Sequence, residues 1–513
     1  MINLLDNAAS YFVDRHLTEG RGDKPAYREA ESGRSLTYHQ LEQGAGRVAG
    51  ALKRADVRAE DRIAMLVLDT VEFPQIFFGA LKCGVVPIPL NTLLAAPIYD
   101  AILRDSRATA LFVSAQLYPE IAPILHGNPY LRSVVVIGDD APEGTQTYDH
   151  FIAGAPVLPT LPVSPDEVAF WLYTSGSTGR PKGAQHVHSS LKASADTYGA
   201  HVLGLTEQDV VFSAAKLFFA YGLGNALTFP LAVGATTVLF AGRPTAADMA
   251  ATLTQQQPTV FCGVPTLYAA MVALQDGSPV PDMALRRCIS AGEALPQEVG
   301  RRWQAQTGIA ILDGVGSTEM LHIFLSNRPD DVVYGTSGTP VPGYDVRLVN
   351  EAGEDVADNE IGEMLVHGAS AASAYWNRRD KTRATFEGVW TRTGDKFERR
   401  TDGRYVYCGR TDDMFKVSGI WVSPFEVEQA LASHPAVLEA AVVAARDTEG
   451  LEKPKAFIVL ETAAPPDLNA QLIAHVKSRV GKWKYPRWIE VVDDLPKTAT
   501  GKIQRFRLRD GAS

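Results

Sequence analysis

The sequence predicts an α/β protein in which a large N-terminal domain is followed by a small C-terminal one. Three observations support this prediction. From Leu36 to about Gly335, apolar runs typical of buried strands alternate with segments of helical apolar spacing. Beyond Gly335 the strands become short and are separated by Gly, Asp and Asn, which indicates a small β-rich, barrel-like subdomain. From Asp412 onward, helices and strands combine again in a compact α+β unit.

The N-terminal alternation begins with a predicted helix over 38–55, a strand over 63–68 and a second helix over 73–83. A short extended segment follows over 84–90. Further strands are expected at 110–113, 133–137, 168–173, 235–240 and 259–262. Such alternation implies helices layered on largely parallel sheets.

The second half contains shorter elements. Strands are predicted at 345–349, 363–367 and 404–409, and the C-terminal unit is expected to have helices at 424–433 and 468–480 and strands at 439–443, 455–460 and 488–492. We place the domain boundary so that residues 1–411 form the N-terminal domain and residues 412–513 form a mobile C-terminal domain.

Bulk composition narrows the class of protein. A chain of 513 residues is too long for one ordinary core, and 46% hydrophobic with 21% charged residues is typical of a soluble globular protein. The net charge of −10 argues against general nucleic-acid binding. The four cysteines are scattered, and neither a signal peptide nor a membrane-spanning run is visible. We therefore expect a cytoplasmic protein with no membrane or nucleic-acid partner.

The segment 174–183, Thr-Ser-Gly-Ser-Thr-Gly-Arg-Pro-Lys-Gly, is rich in groups that bind phosphate. Glycines let backbone N–H groups approach an anion, hydroxyls add donors, and a lysine supplies a mobile positive charge. The spacing is neither the P-loop nor the dinucleotide-binding pattern. ATP is therefore the expected ligand, against the alternative of a flexible Ser/Gly linker. The candidate residues are Thr174, Ser175, Gly176, Ser177, Thr178, Gly179 and Lys182.

Five further motifs follow in order along the chain. They are Gly292-Glu293-Ala294, the run from Asp313 to Glu319, Thr391 to Asp395, Gly409 to Gly419, and Pro496 to Lys502. Together with the first segment they resemble the acyl-adenylate-forming superfamily, which includes acyl-CoA synthetases, peptide-synthetase adenylation domains and luciferases. The resemblance extends from about Tyr38 to Leu508 and implies ATP, Mg²⁺ and coenzyme A as cofactors or co-substrates.

The resemblance assigns roles to the nucleotide-binding residues. Thr174, Ser175, Thr178 and Lys182 suit the β- and γ-phosphates, and Thr318 can donate to the α-phosphate. Glu319 suits Mg²⁺, since hard cations prefer carboxylate ligands and retain water. By resemblance, Asp395 accepts both ribose hydroxyls and Arg410 contacts ribose or phosphate. The residues expected to line the adenine are Gly292, Glu293, Ala294, Asp313 and Gly314.

Lys502 is the expected catalytic lysine of the first step, together with Thr318 and Glu319. A carboxylate that attacks the α-phosphate brings two anions together, and an ammonium group between them stabilises the arrangement. The resemblance further implies that the C-terminal domain rotates about Asp412 between two half-reactions. Lys416 and Gly419 would then border the channel for the pantetheine of coenzyme A.

The acid-binding pocket is expected from two segments, 216–222 and the apolar stretch after Glu319, which we expect to be helical. Its predicted residues are Phe219, Ala220, Tyr221, Gly314, Gly316, His322 and Ile323. These segments resemble benzoate–CoA ligases, and bulky Phe219 and Tyr221 argue against a tunnel for long-chain acids. A para hydroxyl buried without a partner costs roughly 1–3 kcal/mol, which favours benzoate unless Tyr221 or a water provides one.

Several alternatives stay open at this point. The acid could be a hydroxy-, amino- or fluorobenzoate, or the chain could be a stand-alone adenylation enzyme that loads an aryl acid onto a carrier protein. A catalytically silent acyl-AMP or ATP binder is disfavoured by the intact charged residues. The expected partners are an aryl acid, ATP and coenzyme A, with a lysine acetyltransferase as a candidate modifier of Lys502. We expect a monomer or a homodimer.

Overall fold

The computed structural model describes residues 7–175, 181–274, 283–411, 413–417, 420–448, 451–461, 466–481, 484–497 and 503–510. The chain forms two compact units. The first consists of Met1–Val346 and Val366–Thr391, and the second of Arg347–Leu365 and Arg392–Ser513. The mixed elements confirm the predicted α/β class with a small C-terminal part. The boundary at 411/412 stays a prediction.

A nine-stranded sheet, the large sheet, forms the centre of the first unit. Its inner strands are parallel, and its carboxyl ends lead into the segments predicted to bind nucleotide and acid. In spatial order the strands are Thr339–Pro340, Ile323–Ser326, Ile311–Gly316, Arg287–Ser290, Val260–Gly263, Val210–Ser213, Thr236–Leu239, Pro25–Glu29 and Ser35–Thr37. One face is covered by a cluster that includes Phe212, Phe261, Tyr268, Met271 and Trp303.

A second sheet, the parallel sheet, has five strands. They are, in order, Val86–Pro89, Arg62–Leu66, Ala110–Ser114, Ser133–Ile137 and Gln146–Thr147. Every residue of Ala110–Ser114 is buried, as expected for a strand covered on both faces. The sequence predicts four of these strands to within a few residues, because continuous apolar runs mark them.

A third sheet, the hairpin sheet, departs from the expectation of largely parallel pairing. Its strands Ala374–Tyr375, Pro181–Val187 and Val168–Ser175 are all antiparallel. Thr174 and Ser175 end one strand, and Pro181 to Gly183 begin the next. Five of the ten residues of the predicted phosphate loop therefore lie in paired strands.

Local sequence signals explain why the helices form where they do. Tyr38–Arg54 begins at a capping box in which Thr37 accepts from the Gln40 N–H and the Gln40 side chain accepts from the Thr37 N–H. The other α-helices of the first unit are Arg15–Thr18, Glu72–Lys82, Ala96–Ser106, Tyr118–Leu125, Tyr148–Ile152, His188–Ser194, Ala220–Leu223, Phe229–Val233, Ala246–Gln256, Pro265–Leu274, Gln297–Thr307 and Arg379–Thr385. Three π-helical segments, Ser10–Asp14, Ala195–Leu203 and Gly224–Thr228, and a 3₁₀ turn, Ala115–Leu117, accompany them.

Where the structure describes it, the second unit contains strands and three helices. Most of a small sheet belongs to it, formed by Asp345–Val349, Ile361–His367, Trp390–Arg399 and Tyr405–Arg410, whereas the remaining strand of that sheet, Phe386–Glu387, belongs to the first unit. A two-stranded ribbon, Phe415–Val417 with Ile420–Val422, precedes a three-stranded sheet of Val437–Arg446, Glu452–Leu460 and Trp488–Val491. The helices are Pro424–Ala432, Leu468–Val480 and Arg505–Asp510. The predicted elements of this region agree with these bounds.

One predicted element is wrong. The stretch after Glu319, which we expected to be helical, is a turn followed by the strand Ile323–Ser326. Leu321 adopts a φ of 66°, which a helix excludes, and the strand pairs antiparallel with Ile311–Gly316. A short apolar run fits either period, and here pairing with the large sheet decides. Within the described residues, no helix has the length and apolar character needed to cross a membrane.

Candidate active site

The hairpin sheet fixes the position of Lys182. Thr174 lies opposite Lys182 in the antiparallel register, and Tyr375 lies opposite Ala184 on the other neighbouring strand. Since residues two apart on a strand share a face, Lys182 and Tyr375 are diagonal neighbours. The Lys182 ammonium donates to the Tyr375 hydroxyl at 2.6 Å and lies 4.0 Å from the centre of its ring.

Glu319 completes a three-residue cluster with these two side chains. The Tyr375 hydroxyl donates to Glu319 Oε1 at 2.5 Å, and Lys182 Nζ lies 3.2 Å from the same oxygen. The side chains of Lys182 and Glu319 are only 21% and 16% exposed, so the pair is largely shielded from water. Burial raises the pKa of the Glu319 carboxyl, but Lys182 and the Tyr375 hydroxyl outweigh it and hold the pKa below its usual range. The carboxylate is ionised at neutral pH.

Two neighbours hold the segment that carries Thr318 and Glu319. His186 Nε2 donates to the Thr318 carbonyl oxygen at 2.9 Å, and the Ala372 N–H donates to the Glu319 carbonyl oxygen at 2.7 Å. Burial lowers the pKa of His186 to about 4, so its imidazole is neutral and Nε2 carries a proton for this bond. The predicted catalytic pair is thereby attached to the hairpin sheet.

Asp313 is a buried carboxyl group on a central strand of the large sheet. It is 5% exposed at the carboxyl end of a central strand of the large sheet, and its Oδ2 accepts from the Leu295 N–H at 3.4 Å. Its Oδ1 is buried and has no hydrogen-bond partner among the residues that the structure describes. Burial raises the pKa of this carboxyl well above its usual range. Such an acceptor fits the predicted role beside the nucleotide base.

The neighbouring nucleotide residues lie on turns and strand ends. Gly292 has a φ of 96° directly after the strand Arg287–Ser290, and Glu293 and Ala294 follow it as partly buried residues. Gly314 and Gly316 lie on the strand Ile311–Gly316, opposite Ser326 and Ile323. The structure thus places these five residues at the carboxyl edge of one sheet, where ligands of open α/β sheets bind.

Tyr221 lies at the same edge. Its hydroxyl donates to the carbonyl oxygens of Gly263 and Ile289, at 3.1 and 3.3 Å, and these residues belong to the ends of two neighbouring parallel strands. Burial raises the pKa of this hydroxyl well above its usual range, so it stays protonated. The proton is committed to backbone, and the oxygen can still accept a hydrogen bond from a ligand.

His322 packs in an aromatic group beside Tyr221. Its ring centre lies 5.7 Å from that of Tyr221, 5.0 Å from Tyr198 and 4.5 Å from Phe229. Burial lowers the pKa of His322 to about 3, so the ring is neutral, and Nε2 donates to the Tyr221 carbonyl oxygen. Its buried Nδ1 has no hydrogen-bond partner among the described residues. His322 is therefore a neutral member of a buried aromatic cluster, formed with Tyr198, Tyr221 and Phe229, and it carries one acceptor atom.

Side-chain contacts and a tight turn fix the conformation of the segment 216–222. Phe219 and Ala220 are half-buried at the start of the helix Ala220–Leu223, and the Phe219 ring packs at a tilt against Phe218, with 4.3 Å between ring centres. The buried carboxylate of Asp69 accepts from the Leu217 N–H at 3.2 and 3.3 Å. A Cβ on Gly222 would lie 2.0 Å from the Lys216 carbonyl oxygen, so the turn admits only glycine.

Asp395 and Arg410 belong to the second unit and face each other on adjacent strands. Arg410 Nη1 donates to Asp395 Oδ1 at 3.0 Å and to the Thr393 carbonyl oxygen at 3.2 Å. The Asp395 side chain is 15% exposed, whereas that of Arg410 is 47% exposed. The guanidinium orients the carboxylate, which retains acceptor capacity for hydroxyl groups.

Part of the prediction falls outside the described residues. These positions are Gly176, Ser177, Thr178, Gly179, Asp412, Gly419 and Lys502, and the side chains of Ser175 and Lys416 are likewise not described. Their roles stay predictions.

The sequence analysis did not predict four residues that contribute to the site: Asp69, Tyr198, Phe229 and Tyr375. Tyr375 is separated from Lys182 by 193 positions and Asp69 from Leu217 by 148, so no local pattern marks either. The aromatic residues Tyr198 and Phe229 lie in or beside segments whose π-helical geometry is not evident from apolar spacing. A search for buried polar residues near small-residue turns could have suggested Asp69, but no signal distinguishes Tyr375 from a core tyrosine.

A magnesium ion fits this site only as part of a nucleotide complex. Among the described residues, no group of three or more His, Cys, Asp and Glu side chains could hold a metal. Glu319 offers one ionised carboxylate beside Lys182. Mg²⁺ commonly takes one or two carboxylates, phosphate oxygens and waters, so a single carboxylate matches that habit.

Comparison with known proteins gives consistent relationships. The AMP-binding enzyme family matches residues 14–376, and the AMP-binding enzyme C-terminal domain matches residues 426–502. The 4-hydroxybenzoate–CoA/benzoate–CoA ligase of Rhodopseudomonas palustris is 54% identical over 98% of this chain and 94% of its own. The benzoate–CoA ligase of Thauera aromatica is 53% identical over 98% and 95%. The crystal structure of a benzoate CoA ligase from Burkholderia xenovorans has a TM-score of 0.90 at 50% identity, covering 98% of this chain and 100% of that one.

Proposed function

The chain belongs to the AMP-binding enzyme family, and from this membership we propose that it is an AMP-forming benzoate–CoA ligase. The reaction converts ATP, benzoate and CoA into benzoyl-CoA, AMP and pyrophosphate through benzoyl-AMP. The observation that carries the proposal is identity above one half, over nearly the whole length, to two ligases named for benzoate. The aromatic cluster around Tyr221 and His322 supports the same substrate class.

The aromatic side chains around His322 favour a flat aromatic acid as the substrate. Tyr221, His322 and Phe229 present ring faces and edges, and all three are half-buried or buried. Ring–ring contacts of this kind stabilise an aromatic guest beyond simple burial. His322 is neutral, so it adds no charge that would attract a second carboxylate. A single ring with one carboxylate matches these aromatic side chains better than an acyl chain.

In the first half-reaction, a benzoate oxygen attacks the α-phosphorus of ATP, and the bond to the β-phosphate bridging oxygen breaks. Lys182 and the hydroxyls of the hairpin would hold the departing pyrophosphate, and Glu319 would hold the Mg²⁺ that accompanies it. Asp313 and Asp395 would position adenine and ribose. Lys502 would stabilise the meeting of two anions. The charges and acceptors described above support the roles of Lys182, Glu319, Asp313 and Asp395, whereas the role of Lys502 rests on the resemblance.

In the second half-reaction, the sulfur of CoA attacks the acyl carbon of benzoyl-AMP. The thiol loses its proton, the carbon–oxygen bond to AMP breaks, and the thioester forms. We propose that the C-terminal domain, residues 412–513, rotates about Asp412 to exchange Lys502 for the channel residues Lys416 and Gly419. The two family matches, which end and begin at residues 376 and 426, support a boundary in this region.

A second substrate, 4-hydroxybenzoate, is supported by one observation. The Tyr221 oxygen can accept a hydrogen bond even though its proton is committed to backbone. A relative at 54% identity is named for both acids. Aminobenzoates would use the same acceptor. Loading of an aryl acid onto a carrier protein is the remaining alternative.

A panel of acids tests the proposal. AMP formation is measured with and without CoA for benzoate, 4-hydroxybenzoate, 2-aminobenzoate, acetate and a fatty acid. We expect benzoate to give the highest CoA-dependent rate and benzoyl-CoA to be released. Faster turnover of acetate or the fatty acid would contradict the pocket assignment. Pyrophosphate exchange without free benzoyl-CoA would instead support loading of a carrier protein.

A further inference from the structure

Tyr375 occupies a position that the reaction scheme above does not use. Its hydroxyl lies between the two opposite charges of the site, accepting from Lys182 at 2.6 Å and donating to Glu319 at 2.5 Å. In the catalytic cycle these charges must separate, because Lys182 is assigned to phosphate and Glu319 to magnesium. A tyrosine placed at that junction can influence both exchanges.

The surroundings of Tyr375 keep its ring in one place. The residue is 3% exposed, its N–H donates to Thr382 Oγ1 at 3.0 Å, and its ring packs on Phe386 at 5.3 Å between centres. Strand pairing with Ala184 fixes its height beside Lys182. The tyrosine is therefore the rigid member of the cluster, whereas a lysine ammonium on a four-carbon stem is mobile.

Both contacts to Glu319 fall on the same carboxylate oxygen, Oε1. When Lys182 leaves for a phosphate, a hydroxyl donor remains on Oε1. The carboxylate then keeps its orientation, and Oε2, which receives neither of these contacts, is left for the metal. Without the hydroxyl, Oε1 would keep only the mobile ammonium as a donor, and the carboxylate would lose its fixed orientation when Lys182 moves to a phosphate.

We propose that Tyr375 is a positioning residue for the metal–nucleotide complex: its hydroxyl keeps the Glu319 carboxylate oriented for Mg²⁺ when Lys182 leaves their ion pair for a phosphate. This inference rests on the proposed ATP-dependent function but not on which acid is used. It predicts that loss of the hydroxyl weakens the part of ATP binding that depends on magnesium.

The test measures the dissociation constants of ATP by calorimetry, once with excess Mg²⁺ and once in EDTA, without acid or CoA. The quantity compared is the ratio of the EDTA value to the Mg²⁺ value. For Tyr375→Phe we expect this ratio to fall about tenfold relative to the unsubstituted protein, the effect of one charge-assisted hydrogen bond. The phenylalanine ring retains the packing on Phe386, and the melting temperature checks the fold.

Three further variants make the result decisive. Glu319→Gln should lower the ratio at least as far, and Tyr375→Phe should change nothing more in the Glu319→Gln background, since the tyrosine acts through the carboxylate. Tyr148→Phe is the matched control, because its buried hydroxyl donates to Gln75 at 2.9 Å away from this cluster. It should leave the ratio unchanged.

An unchanged ratio in Tyr375→Phe or in Glu319→Gln overturns the inference, as does an equal fall in Tyr148→Phe or an additive fall in the double variant. If the unsubstituted protein binds ATP in neither buffer, the proposed function fails and the inference fails with it. If ATP binds but benzoate is not the preferred acid, only the substrate assignment fails, and the ratio still decides the role of Tyr375.

Discussion

The imidazole of His322 donates through Nε2 to the carbonyl oxygen of Tyr221, with 3.2 Å between the two atoms. This bond joins the turn after Glu319 to the helix that begins at Ala220. It therefore links the segment that carries the predicted catalytic residues to the segment predicted to form the acid pocket. It also fixes the tautomer of the imidazole, because a neutral ring that donates from Nε2 carries its lone pair on Nδ1.

Gly224→Ala should impair the acid pocket selectively. A Cβ there would lie 2.4 Å from His322 Cδ2 and 2.8 Å from Phe229 Cζ, so the rings must move. Overpacking costs about 1–3 kcal/mol, and we expect the KM for benzoate to rise about tenfold while the KM for ATP stays within about twofold. Steady-state kinetics checks this. Gly22→Ala is the control, because its Cβ meets only His39 at 3.7 Å. Equal changes in both KM values would contradict the prediction.

Tyr221→Phe should separate benzoate from 4-hydroxybenzoate. The variant removes an oxygen that can accept from a ring hydroxyl but leaves the aromatic wall. We expect kcat/KM for 4-hydroxybenzoate to fall about tenfold or more, and that for benzoate to change by less than about threefold. Competition between the two acids measures the ratio directly. A parallel loss for both acids would show that the hydroxyl serves the fold and not the substrate.

Asp395→Asn should weaken nucleotide binding. The amide retains one acceptor, whereas the carboxylate can serve Arg410 and both ribose hydroxyls. We expect the KM for ATP to rise about tenfold with the KM for benzoate little changed. The matched control is Asp358→Asn, which removes an exposed carboxylate paired with Arg399 in the same unit. If the control raises the KM for ATP as much, the assignment to ribose is wrong.

Lys502→Ala should uncouple the two half-reactions. Removal of the ammonium is expected to slow benzoyl-AMP formation about 100-fold or more, because a preorganised charge is lost at the attacking centre. Thioester formation from supplied benzoyl-AMP should stay within about threefold. Acetylation of Lys502 removes the same charge and should have the same effect. Lys497→Ala is the control, since this lysine pairs with Glu439. Equal loss of both half-reactions would refute the role.

Low pH should destabilise the protein because four of its histidines are buried. Burial lowers the pKa of His16, His186 and His188 to about 4 and that of His322 to about 3. Because the unfolded chain then binds more protons than the native one below pH 6.5, stability is full above that pH and falls as the pH decreases. Between pH 7 and 5.5 the free energy of unfolding should drop by roughly 5 kcal/mol, at about 1.4 kcal/mol per histidine and pH unit.

Denaturant titrations at the two pH values measure this drop. His188→Asn, which keeps an acceptor for the Ala8 N–H, should reduce it by about a quarter. The exposed His201 provides the control, and His201→Gln should not change it. Asp69 works in the opposite direction, since burial raises its pKa to about 6, and it offsets a small part of the loss. A drop of the same size in His188→Asn would contradict the account.

Local patterns predicted most of the fold. The helix expected over 38–55 is Tyr38–Arg54, and the strand expected at 133–137 is Ser133–Ile137. These predictions succeed because burial of one helix face gives apolar residues at helical spacing. Burial of a whole strand gives a continuous apolar run. The segment after Glu319 failed because its apolar residues are few and their partner strand, Ile311–Gly316, determines their conformation.

The candidate site was predicted as a set of charges but not as an arrangement. Lys182 was expected at phosphate and Glu319 at magnesium, yet nothing local indicates that they pair with each other and that both contact the Tyr375 hydroxyl. That contact depends on pairing between strands almost two hundred positions apart, which a period within a window does not encode. The direction of the Tyr221 hydroxyl was open for the same reason.

The carbonyl oxygen of Ile289 links the predicted acid pocket to the predicted adenine segment. It accepts from Tyr221 at 3.3 Å and from Tyr268 at 3.0 Å, and the predicted adenine segment begins three residues later at Gly292. We therefore expect acid and nucleotide to act on the same strand end, the acid through Tyr221 and the nucleotide through the segment that begins at Gly292. A substrate ring that shifts Tyr221 would also displace the backbone at Ile289, from which the predicted adenine segment continues. The two substrates should then bind with mutual synergy, each tightening the affinity for the other before any bond is made.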